Sequence, residues 1–516
     1  MIKLSACRNR PGRLALSLLL VSAVVISPVS AQDSSVFDET LKEATKGVAE
    51  AQYDLGVMYA RGRGVSVDLS EAAGWFLKAA EQGHAIAQTV MAVMYENGDG
   101  VPQDIARAVE WYSKAAEQGR PAAQYKLGEF YSEGIVLKEN KQESVAWYRK
   151  AAEQDHVHAQ FSLGLMYSRG EGVAESASDA AIWFQKAAEQ GHVDGQYRLG
   201  LMYAYGIGVS QDDSVSFNWI RKAAEQEMVE AQFSMGFMYD QGMGVVENNE
   251  EAVVWYRKAA LQGNAHAQYE LAVMYATGNG VPINAQEAVR WYRNAAEQGN
   301  ASAQINLGIL YENGVGVPRD ATEAVRWYRK AAEQGNAKGM KSLGYAYAHG
   351  KGVPEDDVEA YRWYRASAEL GHAEAQFSLG IMYQTGEGVA KDGAEAVRWY
   401  RMAAEQGLND AQYNLAVHYD DGSGIPEDDA EAVRWFRTAA EQGHSLAQVD
   451  LGLMYFRGTG VQKDIVLAYV WTSLSAAQGN SRAIDQKEAI QLRMTASELE
   501  KAESLTQSYY ERINQQ

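Results

Sequence analysis

The sequence predicts an all-α solenoid of twelve helix-turn-helix repeats, 36 residues each, with capping helices at both ends. Three observations predict it. All twelve tryptophans, from Trp75, Trp111 and Trp147 through to Trp435 and Trp471, stand 36 residues apart. Close copies of residues 267–300, AQYELAVMYATGNGVPINAQEAVRWYRNAAEQGN, follow one another from Ala51 to Gly479 without insertion or deletion. Within each copy, apolar residues keep helical spacing and glycines punctuate it. A fixed period of this size means stacked supersecondary units, each contacting only its neighbours, rather than one large core.

In chain order, residues 1–31 read as a secretory signal peptide. Lys3, Arg8, Arg10 and Arg13 form a basic start, residues 14–26 a short apolar run, and Val29-Ser30-Ala31 a small-residue cleavage site. The expectation is an exported chain, periplasmic or extracellular, with its mature start at Gln32 and no membrane insertion. The single cysteine, Cys7, lies inside that segment, so stability after cleavage rests on repeat packing and not on disulfides. The segment carries four of the 47 basic residues and none of the 67 acidic ones, leaving 43 against 67 and a net charge of −24. Nucleic acid and anionic lipid need a basic footprint, so neither is expected as a partner.

Residues 32–46 suit one N-terminal capping helix, with Phe37, Leu41 and Ala44 on one side. The repeats occupy 47–479. Helix A of the seventh covers about 265–276, with Ala267, Leu271, Met274 and Tyr275 at helical spacing. A glycine follows helix A in all twelve units, from Gly62 to Gly458, as a left-handed C-terminal cap. Helix B opens on Asp, Asn or Ser throughout, from Asp68 to Asp464, each side chain able to bond a free amide of the first turn. Glutamate three residues later, as at Glu71, Glu287 and Glu431, completes a capping-box pattern. Helix B then carries Trp-Tyr, whose rings fill the space that paired alanines leave. Deleting one such ring should cost roughly 3–5 kcal/mol. Residues 480–516 supply two C-terminal capping helices, with Leu499, Ala502, Leu505 and Tyr509 on the covering face.

Several units depart from the pattern. Val136 replaces the second loop glycine of the third, Asp155 and Glu227 replace closing glycines, and Gly339-Met340 replaces Ala-Gln in the ninth. Local bends or altered stacking are expected there.

The pattern A-x-A-Q-x-x-L-G-x-M-Y-x-x-G-x-G-V-x-x-D-x-x-E-A-x-x-W-Y-x-K-A-A-E-Q-G resembles the Sel-one-like repeat (SLR) family, relatives of tetratricopeptide repeats, over about nine tenths of the chain. The resemblance implies a right-handed superhelix that serves as a non-catalytic scaffold or adaptor for proteins. It also implies a groove lined by helix A, and it brings no shared catalytic residues. Similar exported bacterial proteins regulate envelope sensors or enzymes, or meet host proteins; some have been credited with hydrolysing cell-wall-like or lactam substrates. Here no nucleophile–base pair stands out from the repeat.

No cofactor or metal site is expected. His84, His156, His192, His372 and His444 share one repeat position just before helix A, which Asn264, Asn300 and Asn336 fill elsewhere, so a capping role accounts for all of them. Zinc would need more converging ligands than His156 and His158 offer. The arginine ladder Arg290, Arg326, Arg362, Arg398 and Arg434 reads as intrahelical pairing with glutamates three residues earlier.

Positions that refuse to repeat in so faithful a scaffold are candidates for contact. Following the aromatic of helix A stand Lys126, Arg198 and Glu270; seven residues beyond that position stand Arg169, Tyr205, Gln241, Asn313 and His349. These eight residues are the candidate partner-binding groove, for an extended segment of a protein partner and with the chain itself a monomer.

Overall fold

A computed structural model describes residues 31–514, so all but the last residue of the signal-like segment lies outside the described residues. Those residues form 27 helices and no strand. They divide into two units, Met1–Trp255 and Tyr256–Gln516. The first holds a leading helix (Ala31–Thr45) and repeats one to five, then helix A of repeat six. The second holds repeats seven to twelve and two terminal helices, Ser481–Gln491 and Ala496–Asn514.

The core sits at the seams between repeats. Val145, Tyr148, Ala151 and Ala152 of helix B in repeat three pack on Ala159, Leu163 and Met166 of helix A in repeat four. Within a repeat, helix A approaches helix B through glycine: a Cβ on Gly380 would come within 2.6 Å of the Tyr400 ring. Six tryptophans, Trp111, Trp255, Trp291, Trp327, Trp399 and Trp471, are buried. The others are half-buried, several under a lysine such as Lys150, whose ammonium lies 3.8 Å from the Trp147 ring centre.

A buried glutamine ties three helices together. In eleven repeats the glutamine of the A-Q motif donates its amide to an alanine carbonyl near the end of the preceding helix, the leading helix for Gln52 and a helix B for the rest, as Gln160 does to Ala152 at 3.1 Å. Its oxygen accepts from the glutamine that ends helix B of its own repeat, as from Gln190 at 2.8 Å. Repeat nine is the exception, and there both partners are apolar together: Met340 replaces the first glutamine and Leu370 the second. Neither amide is left behind to be buried alone, which would cost more than the bond itself contributes.

Every helix B is capped as its sequence suggests, the Asp, Asn or Ser oxygen accepting from the first turn. The capping box, however, is only half made in the repeats. The backbone N–H of each cap residue donates instead to the carbonyl of the tyrosine near the end of helix A, from Asp68 to Tyr59 through Asp464 to Tyr455, at 2.8–3.0 Å. The glutamates are thereby left for other partners. A full capping box forms outside the repeats, between Thr495 and Glu498.

The bends expected at the replaced glycines do not appear at Asp155 and Glu227. Both keep the left-handed backbone, φ 60° and 64°, and their amides bond Ala152 and Ala224 as Gly191 bonds Ala188. Val136 also holds φ 64°, but a tight Leu137-to-Ile135 bond of 2.7 Å alters its loop. At Gly339 the stacking is tighter, since a Cβ there would meet that of Ala331 at 2.7 Å.

Two stability predictions follow from these contacts. Gln160→Met removes three bonds, with Ala152, Asp155 and Gln190, and should cost about 1–2 kcal/mol, while adding Gln190→Leu should recover most of the loss by reproducing repeat nine. Hydrogen exchange of helix Val157–Arg169 in the single and double variants measures the coupling, and additive losses would refute it. Val136→Gly relieves a β-branched residue of a left-handed backbone, so urea unfolding should show a gain of about 1 kcal/mol.

Candidate functional site

Helix A presents one stripe to solvent, built from positions four, three and four residues apart. In repeat five these are Asp194, Arg198, Leu201 and Tyr205 of helix Val193–Tyr205. The first unit carries five of the sequence-derived residues on such stripes. Tyr205 is 63% exposed, and Arg169 is exposed with Glu171 at 3.7 Å. Gln241, also exposed, bonds the neighbouring Asp240. Arg198 is half-buried, its guanidinium 5.9 Å from the centre of the Phe161 ring. Lys126 does not fit a contact role, because it is consumed inside the scaffold, 3.0 Å from Glu96 and 3.2 Å from Glu129.

The second unit carries the other three. Glu270 is half-buried beside Tyr269 and already engaged in the scaffold. Asn313 stands exposed at the end of its helix. His349 is exposed, lies tilted against the Tyr345 ring with centres 4.2 Å apart, and has its Nδ1 3.0 Å from the Tyr345 carbonyl. The eight residues are thus spread one or two to a repeat. Arg169 and Arg198 are the pair whose charges act on each other.

The sequence reading missed the middle of the stripe. The residue between Gly and Met in the L-G-x-M-Y motif is apolar in eleven repeats, the exception being Glu129. Most members are half-exposed, and Phe237, Ile309 and Tyr345 are 44%, 41% and 37% exposed. Its signal was its composition, an apolar column on the outside of a helix, which a search for variability passes over.

The histidines cap helix A. Nδ1 of His84, His156, His192 and His444 accepts from the backbone three residues on, while His372 lacks that bond. Each of those four rings also stacks on the aromatic of the repeat before it, at 4.3–4.8 Å. His158 lies 5.3 Å from the His192 ring and 6.1 Å from that of His156. Among the described residues no three His, Cys, Asp or Glu side chains converge as metal ligands. Burial first, and the nearby His158 second, push His156 and His192 down to about 4. The arginine ladder is paired as its spacing suggests, at 2.5–3.4 Å from Glu287, Glu323, Glu359, Glu395 and Glu431.

The Sel1 repeat family model matches twelve successive units, from 49–84 and 85–119 to 409–444 and 445–480. The chain belongs to the Sel1 repeat family. It is similar to the crystal structure of a protective antigen present in uropathogenic Escherichia coli strains displaying an SLR fold, with 37% identity over 92% of this chain and 95% of that one and a TM-score of 0.62. A Sel1 repeat protein from Oxalobacter formigenes is 33% identical over 60% of this chain and 90% of its own, with a TM-score of 0.51. No curated protein matches the sequence. Sel1 repeat proteins typically serve as protein-interaction scaffolds, and the solenoid is generally non-enzymatic. No helix among the described residues is long and apolar enough to cross a membrane.

The capping histidines give a pH prediction. The folded values of His156 and His192 lie below the ordinary 6.5, so the unfolded chain takes up protons first as pH falls. The stability they permit is complete above about pH 6.5 and declines towards pH 4. The loss should be about 2 kcal/mol per imidazole after allowing for residual hydration. His156→Asn with His192→Asn, the cap used in repeats seven to nine, should flatten that decline in urea melts from pH 7 to 4. An unchanged slope would show the rings are not responsible.

Proposed function

We propose that this chain is an exported, non-catalytic scaffold that holds an extended segment of a partner protein along the helix-A stripe. The observation that carries this reading is the apolar column left open to solvent and bordered by polar positions that differ from repeat to repeat. An exposed apolar strip rimmed by polar groups is what a protein interface requires: the strip supplies burial and the rim supplies selectivity. Helix B offers no equivalent, since its ladder arginines are paired with their own glutamates, others such as Arg293 bond a tyrosine hydroxyl, and most of its apolar residues lie in the seams.

Two further points support export. The basic, apolar and small-residue order of residues 1–31 is that of a secretory signal. The similar Escherichia coli protein is described as a protective antigen, a role that suits a chain met by antibodies. The partner would then be an envelope or host protein.

Photo-crosslinking in cells tests the stripe. Probes at Tyr205, Phe237, Ile309 and Asn313 should capture a discrete protein, and controls at Arg326 and Arg398 on helix B should not. Capture from helix B alone would move the interface to the arginine ladder. N-terminal sequencing of the protein recovered from the periplasm or medium should start at Gln32; an intact Met1 in the cytoplasm would overturn export.

A further inference from the structure

Lys126 shows how the scaffold can absorb a cation on the helix-A stripe. Lys126, half-buried on helix A of repeat three, receives Glu96 from the helix A before it and Glu129 from its own next turn. Off the stripe, Lys341, Lys351 in the loop beyond helix A and Arg482 of helix Ser481–Gln491 are also paired, with Glu374 at 2.6 Å, Glu312 at 3.4 Å and Asp450 at 2.9 Å. Arg198 occupies the position of Lys126 two repeats later. At the places of Glu96 and Glu129 it finds Ser168 and Leu201. No carboxylate oxygen of the described residues lies within 4.0 Å of its guanidinium, and no hydrogen bond reaches it. Its neighbours are the Phe161 ring at 5.9 Å, a second cation, Arg169, itself 3.7 Å from Glu171, and Asp194 one helical turn earlier. A half-buried guanidinium with no ion pair or hydrogen bond among the described residues has only the longer-range attraction of Asp194 to set against its lost hydration.

We propose that Arg198, with Arg169 beside it, is a carboxylate-recognition site that binds an acidic side chain of the partner segment. The proposal rests on the helix-A reading above and adds the chemistry of one contact. Guanidinium is suited to this task because its planar fork can hold both oxygens of a carboxylate at once. Phe161 borders the cation with apolar surface and Leu201 stands three residues on along the same stripe, so the acid should stand next to an apolar residue in the segment. The scaffold as a whole is strongly acidic and would repel a generally acidic partner. The segment should therefore carry an isolated acid in a neutral or basic setting. Burial first and the Arg169 charge second lower the proton affinity of Arg198, outweighing the opposing pull of Asp194.

A random-peptide phage library selected against the full chain tests this, with enriched peptides titrated by fluorescence anisotropy. Enriched sequences should share one Asp or Glu beside an apolar residue, and Arg198→Gln should weaken them by at least about tenfold. Ser168→Glu, which restores the internal carboxylate of repeat three, should weaken them comparably and raise the melting temperature. Both variants should keep the far-ultraviolet circular dichroism of the parent. Peptides without a shared acid, or unaffected by both variants, would overturn the carboxylate site; their loss on Leu165→Gln would still leave the stripe as the binding face. Peptides insensitive to Leu165→Gln as well would overturn the stripe reading too, and a failure to enrich any sequence counts against both.

Discussion

The buried glutamine of the A-Q motif is the interaction on which the array depends. It lies where three helices meet, and a polar amide enclosed there must bond both its donor and its acceptor groups or cost stability. Geometry meets that demand with one carbonyl on the preceding helix B and one amide at the end of its own. A shift of one residue along either helix would break both bonds, so the glutamine sets the register in which each repeat meets the last. Apolar alanines pack the seam closely but do not select one register. Repeat nine shows the other stable solution, with both polar partners removed at once.

The constant period has a second cause in the loops. The second loop glycine approaches the start of the preceding helix B so closely that a Cβ on Gly244 would lie 2.0 Å from the Asp213 carbonyl oxygen. The cap residue beyond it bonds back to the tyrosine carbonyl of helix A. A loop held at both ends in this way has no room for an added residue. Asp155 and Glu227 accept a left-handed backbone because the surrounding bonds define the turn more strongly than the side chain opposes it.

Function is carried by what the scaffold leaves over. Most positions of the repeat are committed to seams, caps and turns, and those are the positions that recur. The helix-A stripe is free of that duty in part: its apolar column supplies partly exposed hydrophobic side chains in most repeats, while the positions beside it change from repeat to repeat. Where a cation on the stripe has internal carboxylates, as Lys126 does, it belongs to the scaffold. Arg198, whose carboxylates are missing, belongs to the surface.

By itself the sequence determined the helical pairs, their number and their boundaries to within a residue or so, because these depend on local periodicity and on caps that lie within a few residues of each other. Helix A of the seventh repeat ends at Thr277, one residue beyond the periodic pattern. It also showed the capping histidines and the paired arginine ladder, since both are contacts along one helix. Only the tertiary structure decided which stripe residues are available. Lys126 and Arg198 read alike in sequence as variable cations, and what separates them is a glutamate 30 residues away in the neighbouring repeat. The tyrosine carbonyls that displace half of each capping box were hidden for the same reason, as backbone groups brought together by the turn. Contacts between helices depend on packing that no single helix encodes, so they emerge only once the repeats are stacked.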